Sequence, residues 1–170
     1  MTRKPPEGPP KVSLIVGSAS DRKAILPCRQ ALDALGIPHE ARVLSAHRTI
    51  DALADYIGEL EGRGVRLIIA AAGLAAHLPG VIAAQTRLPV LGVPLVAGPL
   101  QGLDALFSVV QMPGGVPVAC MGIGKAGAKN AAYLAARILG LDDAAIRAKL
   151  DQVVSADKQK VLNSSLPEDF

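Results

Sequence analysis

Short apolar runs alternate with amphipathic segments along most of the chain, and this alternation constrains the fold more than any other feature. The run at 12–16 ends in Gly17, and a segment with apolar residues near helical spacing follows until Gly36. The same unit recurs at 40–60 and at 66–85, so that each predicted strand precedes a predicted helix. Strands that alternate with helices in this way form a parallel sheet with right-handed crossovers.

The predicted sheet has about five strands and lies between two layers of helices. The run Leu67-Ile68-Ile69-Ala70 is apolar on both faces, as expected of a strand that helices cover on both sides. The sequence therefore predicts a three-layer α/β fold. Its strands are predicted at 12–16, 40–44, 66–71, 90–93 and 118–121, and its helices at 25–35, 49–60, 78–85, 103–111, 124–139 and 142–154.

One domain accounts for the chain, because 170 residues that are 50% apolar supply one core. This α/β domain is predicted to span residues 11–155. Its last helix, at 142–154, has no strand left to cover and is expected to pack on a neighbouring subunit. Residues 1–10 contain four prolines and are predicted to form a disordered arm. Residues 156–170 are predicted to form a polar tail.

Several classes of function are excluded by composition and motif content. The formal charge is only +3 and aromatic residues make up 2%, so the chain lacks the basic, stacking surface typical of nucleic-acid binding. The longest apolar stretch, 67–76, is too short to cross a bilayer, and residues 1–10 contain no signal-peptide core. No metal-ligand cluster, P-loop lysine or dinucleotide fingerprint follows the first strand. We expect a cytoplasmic protein without metal, cofactor, nucleic acid or membrane partner.

Polar residues collect where the predicted strands end, which is the edge at which open parallel sheets bind ligands. After the first strand, the hydroxyls of Ser18 and Ser20 stand at a helix start and suit a phosphate group. The carboxylate of Asp21 could accept hydrogen bonds from ribose hydroxyls. The alternative is that Ser20 or Asp21 only caps the helix.

The loops after the second and third strands carry the two histidines of this edge. After the second strand, Arg48 could bind a phosphate bidentately, and the adjacent His47 could carry a proton near neutral pH. After the third strand, the small residues at 71–80 let backbone approach a ligand closely, with His77 as a further polar group. The alternative for this stretch is a small-residue turn with a helix-capping histidine.

Six segments, taken in order, match the successive motifs of a known enzyme family. They are GSASD at 17–21, VLSAHRT at 43–49, AAHLPG at 75–80, LPVLGVP at 88–94, SVVQMP at 108–113 and GAKNA at 127–131. In these segments the chain resembles the bacterial N5-carboxyaminoimidazole ribonucleotide mutases, the class I PurE family. The resemblance runs from about residue 12 to residue 139. It implies a flavodoxin-like subunit, a homo-octamer, and a cofactor-free isomerase of purine biosynthesis.

The resemblance also implies a reaction and a role for each motif. The carbamate carboxylate of N5-carboxyaminoimidazole ribonucleotide (N5-CAIR) would be released as CO2, trapped, and recaptured at C4 to give 4-carboxy-5-aminoimidazole ribonucleotide. By motif, Ser18, Ser20 and Arg48 would hold the 5′-phosphate, Asp21 the ribose hydroxyls, and His47 would shuttle the proton. The other predicted substrate contacts are Ser45, Ala46, Gly73, Ala75, His77 and Leu78.

Three alternatives stay open at this stage. An aminoimidazole ribonucleotide carboxylase that uses free CO2 has the same fold, but its relatives usually have lysine where this chain has Arg48 and lack the His-Leu-Pro-Gly stretch. A carboxylase acting on another nucleotide is suggested by the glycine loop, where Ala71 and Leu74 replace two family glycines. A phosphate-binding module without catalysis is the third, and the presence of His47 argues against it.

Overall fold

The computed structural model describes residue 6 and residues 8–166, and this part of the chain forms a five-stranded parallel sheet between two helix layers. The strand order β2-β1-β3-β4-β5 is that of flavodoxin-like folds, which confirms the predicted fold class. The strands are β1 Val12–Val16, β2 His39–Val43, β3 Leu67–Gly73, β4 Val90–Leu95 and β5 Ala119–Cys120. The helices are α1 Arg22–Ala34, α2 Ile50–Leu60, α3 Leu78–Ala83, α4 Leu103–Val110, α5 Gly124–Leu139 and α6 Ala144–Leu162, with a 3-10 turn at Ala19–Asp21 before α1.

The strand order places a crevice beside the carboxyl end of β1. Strand β2 lies on one side of β1 and β3 on the other, so the connections after β1 and β3 diverge. The register makes these strands end almost level, because Val16 pairs with Val43 of β2 and with Ala71 of β3. The loops that follow the three strands therefore begin at one edge of the sheet.

Alternate residues of the central strands face two separate cores. Leu14 and Ile69 belong to the core under α1 and α5, whereas Ile15 and Ile68 belong to the core under α2, α3 and α4. The inner face of α5 consists largely of alanines that are fully buried. Such small side chains let α5 lie close to α1 and to the sheet.

The C-terminal helix is longer than the sequence indicates. Asp143 caps its start by accepting hydrogen bonds from two backbone N–H groups, and Ile146 and Leu150 are buried against α5 and its core. The helix then continues through the predicted tail as far as Leu162. Most of this extension is exposed, Val161 and Leu162 included, so no buried apolar stripe marks it in the sequence. The arm predicted at 1–10 falls mostly outside the described residues.

Gly92, in the middle of β4, lets α4 approach the sheet closely. A Cβ here would lie 2.5 Å from Cγ1 of Val109 and 2.8 Å from Cγ1 of Val118. Because a packed interior has little room to adjust, we expect Gly92→Ala to lower the free energy of unfolding by about 2 kcal/mol. Urea denaturation at fixed protein concentration measures this change.

Gly58 on the exposed face of α2 supplies the matched control. Among the described residues, a Cβ at Gly58 would meet no atom within 4 Å. Gly58→Ala should therefore be neutral or stabilise the protein by up to about 1 kcal/mol, since alanine favours helix over glycine. Equal stability of Gly92→Ala and the wild type would contradict the close packing over β4.

Candidate active site

A cavity of about 460 Å³ occupies the crevice at the carboxyl edge of the sheet. The loops after β1, β2 and β3 form most of its wall. All the predicted site residues except His77 line it, and His77 contacts one that does. The lining residues are Gly17, Ser18, Ser20, Asp21, Ser45, Ala46, His47, Arg48, Ala72, Gly73, Leu74, Ala75, Leu78 and Ala97.

The loop after β1 is held by a capping box. Ser18 is the N-cap of the 3-10 turn, and its Oγ accepts hydrogen bonds from the backbone N–H of Ser20 (3.3 Å) and the hydroxyl of Ser20 (2.8 Å). The carboxylate of Asp21 accepts a bond from the backbone N–H of Ser18 (3.1 Å). Asp21 therefore completes the cap of the 3-10 turn together with Ser18, although within the described residues its side chain makes no capping hydrogen bond to α1. Both side chains also line the cavity, so capping and ligand binding are compatible here.

Burial perturbs the carboxyl group of Asp21. Desolvation raises its pKa above the ordinary value of 3.8, while the backbone N–H of Ser18, the hydroxyl of Ser20 and the charge of Arg48 act in the opposite direction. The folded state therefore holds this proton more tightly than the unfolded chain does. The resulting stabilisation is present below the unfolded pKa and is lost as the pH rises through the folded pKa.

Ser45 organises the loop after β2. Its Oγ accepts hydrogen bonds from the backbone N–H groups of His47 and Arg48, both at 3.3 Å. Its own backbone N–H donates to Oγ1 of Thr49 (2.8 Å), and this hydroxyl donates back to the carbonyl of Ser45 (3.2 Å). These local bonds fix the backbone that carries His47 and Arg48.

Arg48 bridges the loops after β1 and β2. Its Nη2 donates a hydrogen bond to the carbonyl oxygen of Gly17 at 3.1 Å. A guanidinium group has five N–H donors, so this bond leaves donors for an anion in the cavity. The position of Arg48 beside the hydroxyls of Ser18 and Ser20 makes this end of the cavity suitable for a phosphate.

The two histidines of the sheet edge form a pair. Nε2 of His47 and Nδ1 of His77 are 2.8 Å apart, and the rings meet edge to face at 84°. One of these two nitrogens must carry the proton that joins them, so protonation of one ring is coupled to the tautomer of the other. Within the described residues, His77 makes no side-chain cap to α3. His77 is nevertheless the N-cap residue of α3 by position, as that alternative predicted, while its ring contacts His47 instead of the helix.

Four residues of the cavity wall lie outside the predicted set, namely Gly17, Ala72, Leu74 and Ala97. Leu74 has a positive φ of 56° and a side chain that is 52% exposed. The sequence did contain a sign that Leu74 is unusual, because leucine here replaces a glycine of the family loop. Ala97 comes from the loop after β4. Whether this loop reaches the cavity depends on how the loops pack in three dimensions, and the sequence does not show this.

Residues 6 and 8–166 contain neither a metal-binding cluster nor a membrane-spanning helix. In this part of the chain, no group of three or more His, Cys, Asp or Glu side chains is arranged to hold a metal ion. No helix of the same residues is long and apolar enough to cross a membrane.

Comparisons with known proteins agree on one family. The family model for AIR carboxylase matches residues 11–160. An N5-carboxyaminoimidazole ribonucleotide mutase from Pseudomonas aeruginosa is 52% identical over 158 residues, which cover 93% of this chain and 97% of that protein. The protein of the same name from Bacillus subtilis is 51% identical and covers 92% and 96%. The crystal structure of Treponema denticola PurE has a TM-score of 0.82 at 28% identity and covers 90% of this chain and 94% of that one.

Proposed function

The chain belongs to the AIR carboxylase family, and we propose that it is an isomerase that converts N5-CAIR into 4-carboxy-5-aminoimidazole ribonucleotide in purine biosynthesis. Relatives that bear the mutase name are similar over nearly their whole length. The observation that carries the proposal is the pair of His47 and His77, 2.8 Å apart, at a cavity that also contains Arg48 and Asp21. A proton carrier and a phosphate-binding guanidinium in one cavity suit a phosphorylated substrate whose conversion moves one proton.

We place the 5′-phosphate between Arg48 and the hydroxyls of Ser18 and Ser20. Ser18 and Ser20 line this end of the cavity, and the Arg48 bond to the carbonyl of Gly17 holds the two loops together. Asp21 then accepts hydrogen bonds from the ribose hydroxyls, and these bonds are strongest when it is a carboxylate. This placement puts the imidazole ring of the substrate beside His47 and the small-residue loop after β3.

The proposed reaction uses His47 twice, first as a proton donor and then as a proton acceptor. The bond between the carbamate carbon and the exocyclic nitrogen breaks, its electron pair stays on nitrogen, and protonated His47 gives that nitrogen a proton. C4 of the electron-rich imidazole then attacks CO2, and the proton still carried by C4 passes to neutral His47. The cycle returns His47 to its starting form and consumes no oxidant, reductant or net proton.

His77 positions His47 for this exchange. Because His77 contacts Nε2 of His47, we assign Nδ1 of His47 as the nitrogen that faces the substrate. When His47 is protonated, its Nε2–H donates to Nδ1 of His77 and stabilises the imidazolium. When His47 is neutral and keeps its proton on Nε2, Nδ1 of His77 accepts that N–H and Nδ1 of His47 is free to accept the proton from C4.

The test of function compares two substrate mixtures. Purified protein is given either freshly prepared N5-CAIR at low bicarbonate or aminoimidazole ribonucleotide with bicarbonate, and the C4-carboxylated product is followed. Turnover of the carbamate at low bicarbonate supports the mutase. Product formed only from the second mixture at high CO2 would identify the carboxylase, and product from neither would leave a nucleotide-binding module.

We also propose that the protein works as a homo-octamer in the cytoplasm. The number eight rests on the family resemblance, and uncovered apolar surface supports self-association. Helix α4 and the loop before it carry five apolar residues that are each at least half exposed, and a cluster of exposed apolar residues is typical of an interaction surface. We call it the α4 face, formed by Val96, Leu100, Leu103, Phe107 and Val110.

Phe107→Asp is expected to lower the molar mass in solution. A charge in the centre of a buried apolar interface is left without a partner, which opposes assembly. Light scattering should give about eight times the 17.5 kDa chain mass for the wild type and a smaller mass for the variant. Lys23→Asp on α1, exposed and outside the α4 face, is the control. An unchanged mass for Phe107→Asp would exclude the α4 face from the interface.

A further inference from the structure

Leu74 has a backbone conformation that leucine rarely adopts. Its φ of 56° lies in the left-handed region, where the Cβ of an L-residue crowds the following carbonyl. The side chain is apolar and 52% exposed, so burial in a core does not compensate for this conformation. A residue of this kind at a cavity wall points to a role in the site.

The side chain of Leu74 reaches across to the loop after β4. Its Cδ2 is 2.9 Å from the point that a Cβ on Gly98 would occupy, so it lies directly against the Gly98 backbone. One residue earlier, a Cβ on Gly73 would lie 3.0 Å from Cβ of Ala97. The loops after β3 and β4 thus meet at two neighbouring positions, and the side chain of Leu74 fills the space between them.

We propose that Leu74 is a specificity-determining residue that retains CO2 in the cavity between its release from nitrogen and its capture at C4. This inference rests on the proposed function. A leucine side chain neither donates a proton nor binds an anion, so Leu74 contributes by closing the cavity to solvent. By filling the space between the two loops, it keeps the released CO2 beside the imidazole and keeps water and bicarbonate from the solvent out.

The wall around Leu74 suits a small neutral molecule. Ala72, Gly73, Ala75 and Ala97 line the cavity beside it and present only methyl groups and backbone. The charged residues Asp21 and Arg48 come from the loops after β1 and β2, at the end assigned to ribose and phosphate. The two ends of the cavity thus differ in polarity, and Leu74 belongs to the apolar one.

The experiment measures how much of the carboxylate is exchanged during turnover. Wild type and Leu74→Gly are each given N5-CAIR in 13C-labelled bicarbonate with carbonic anhydrase, which equilibrates the dissolved CO2. Mass spectrometry follows label in the product and free aminoimidazole ribonucleotide in the same samples, with the enzyme-free rate subtracted. We expect the variant to incorporate at least about threefold more label per product and to release more aminoimidazole ribonucleotide.

Two control variants separate retention from backbone effects. Gln101 also has a positive φ, 52°, but is exposed and lies outside the cavity wall, and it makes one long hydrogen bond of 3.4 Å to the carbonyl of Gly98. Gln101→Gly therefore relieves the same strain without removing an apolar side chain from the cavity. Leu74→Met keeps an apolar side chain of similar volume. Both should retain the wild-type labelling ratio.

The outcomes are distinct. Leu74→Gly should melt within about 3 °C of the wild type, because glycine tolerates this φ. The proposal is supported if the labelling ratio rises in Leu74→Gly and in neither control variant. A wild-type ratio in Leu74→Gly, or an equal rise in Gln101→Gly, would overturn it while leaving the mutase intact. Failure of the wild type to convert N5-CAIR would overturn the proposed function and this inference together.

Discussion

Replacement of His47 by asparagine is expected to lower kcat for N5-CAIR by about a thousandfold, the scale of a lost general acid–base group. Asparagine fills similar space but cannot take up or release a proton near neutral pH. The loop should keep its shape, because it is held by the Oγ of Ser45 and by Thr49. Steady-state kinetics, together with a binding measurement using the product, separates the loss of kcat from any loss of affinity.

The other two histidines of the chain make this prediction specific. His77→Asn should cost less, about tenfold in kcat, because an amide can still hydrogen-bond Nε2 of His47, and it should shift the pH profile of kcat. His39 begins β2 at the opposite end of the sheet, where its Nδ1 contacts the carbonyl of Ile37. His39→Asn should leave kcat per folded protein within about twofold of the wild type. Near-normal turnover in His47→Asn would remove His47 from the proton-transfer role.

The fold was predictable because its three central strands, β1, β3 and β4, are buried on both faces. A strand such as Leu67–Gly73 reads as an unbroken apolar run, and turn residues separate it from the amphipathic helices around it. The boundaries were less predictable at the margins of the sheet. Strand β5 is reduced to Ala119–Cys120, since it pairs only with β4 and has no second neighbour to extend its ladder.

The location of the site was predictable for a geometric reason. In a parallel sheet, polar residues that follow consecutive strands come to one edge, and the level register of β1, β2 and β3 brings Ser18, Arg48 and the glycine loop together. The contact between His47 and His77 was not predictable, because it depends on how two loops fold over that edge. The φ of Leu74 is likewise a property of the folded loop, and only its departure from the family glycine drew attention to it.

The role of Ser45 shows a similar limit. The motif predicts a polar residue near the phosphate, and the structure shows its hydroxyl occupied by two backbone N–H groups of its own loop. A serine at a strand end can bind a ligand or hold the backbone of its own loop, and the sequence does not distinguish these two roles. For this residue the bonds in the structure support a positioning role, in which Ser45 holds His47 and Arg48 in place.

Arg48→Ala is expected to raise the KM for N5-CAIR by about a hundredfold, which corresponds to the loss of charge-assisted hydrogen bonds worth about 3 kcal/mol. The effect on kcat should be smaller, because His47 is unchanged. Arg48→Lys keeps the charge but loses the planar pair of donors, so its KM should lie between those of the wild type and Arg48→Ala, about tenfold above the wild type. Arg22→Ala, which removes an exposed charge at the start of α1 outside the cavity wall, is the control and should change KM by less than about twofold.

A second measurement on Arg48→Ala separates its charge from its hydrogen bonds. The charge of Arg48 lowers the pKa of Asp21 against the larger effect of burial, which raises it, so the variant should raise that pKa further. The ionised carboxylate of Asp21 accepts stronger hydrogen bonds from ribose hydroxyls than the protonated acid does, so KM should increase as the pH falls through this pKa. In Arg48→Ala that increase should begin at a higher pH than in the wild type, and in Arg22→Ala it should not move. If KM rises a hundredfold but its increase at low pH begins at the same pH as in the wild type, Arg48 binds phosphate without acting on Asp21. An unchanged KM would show that the phosphate lies elsewhere.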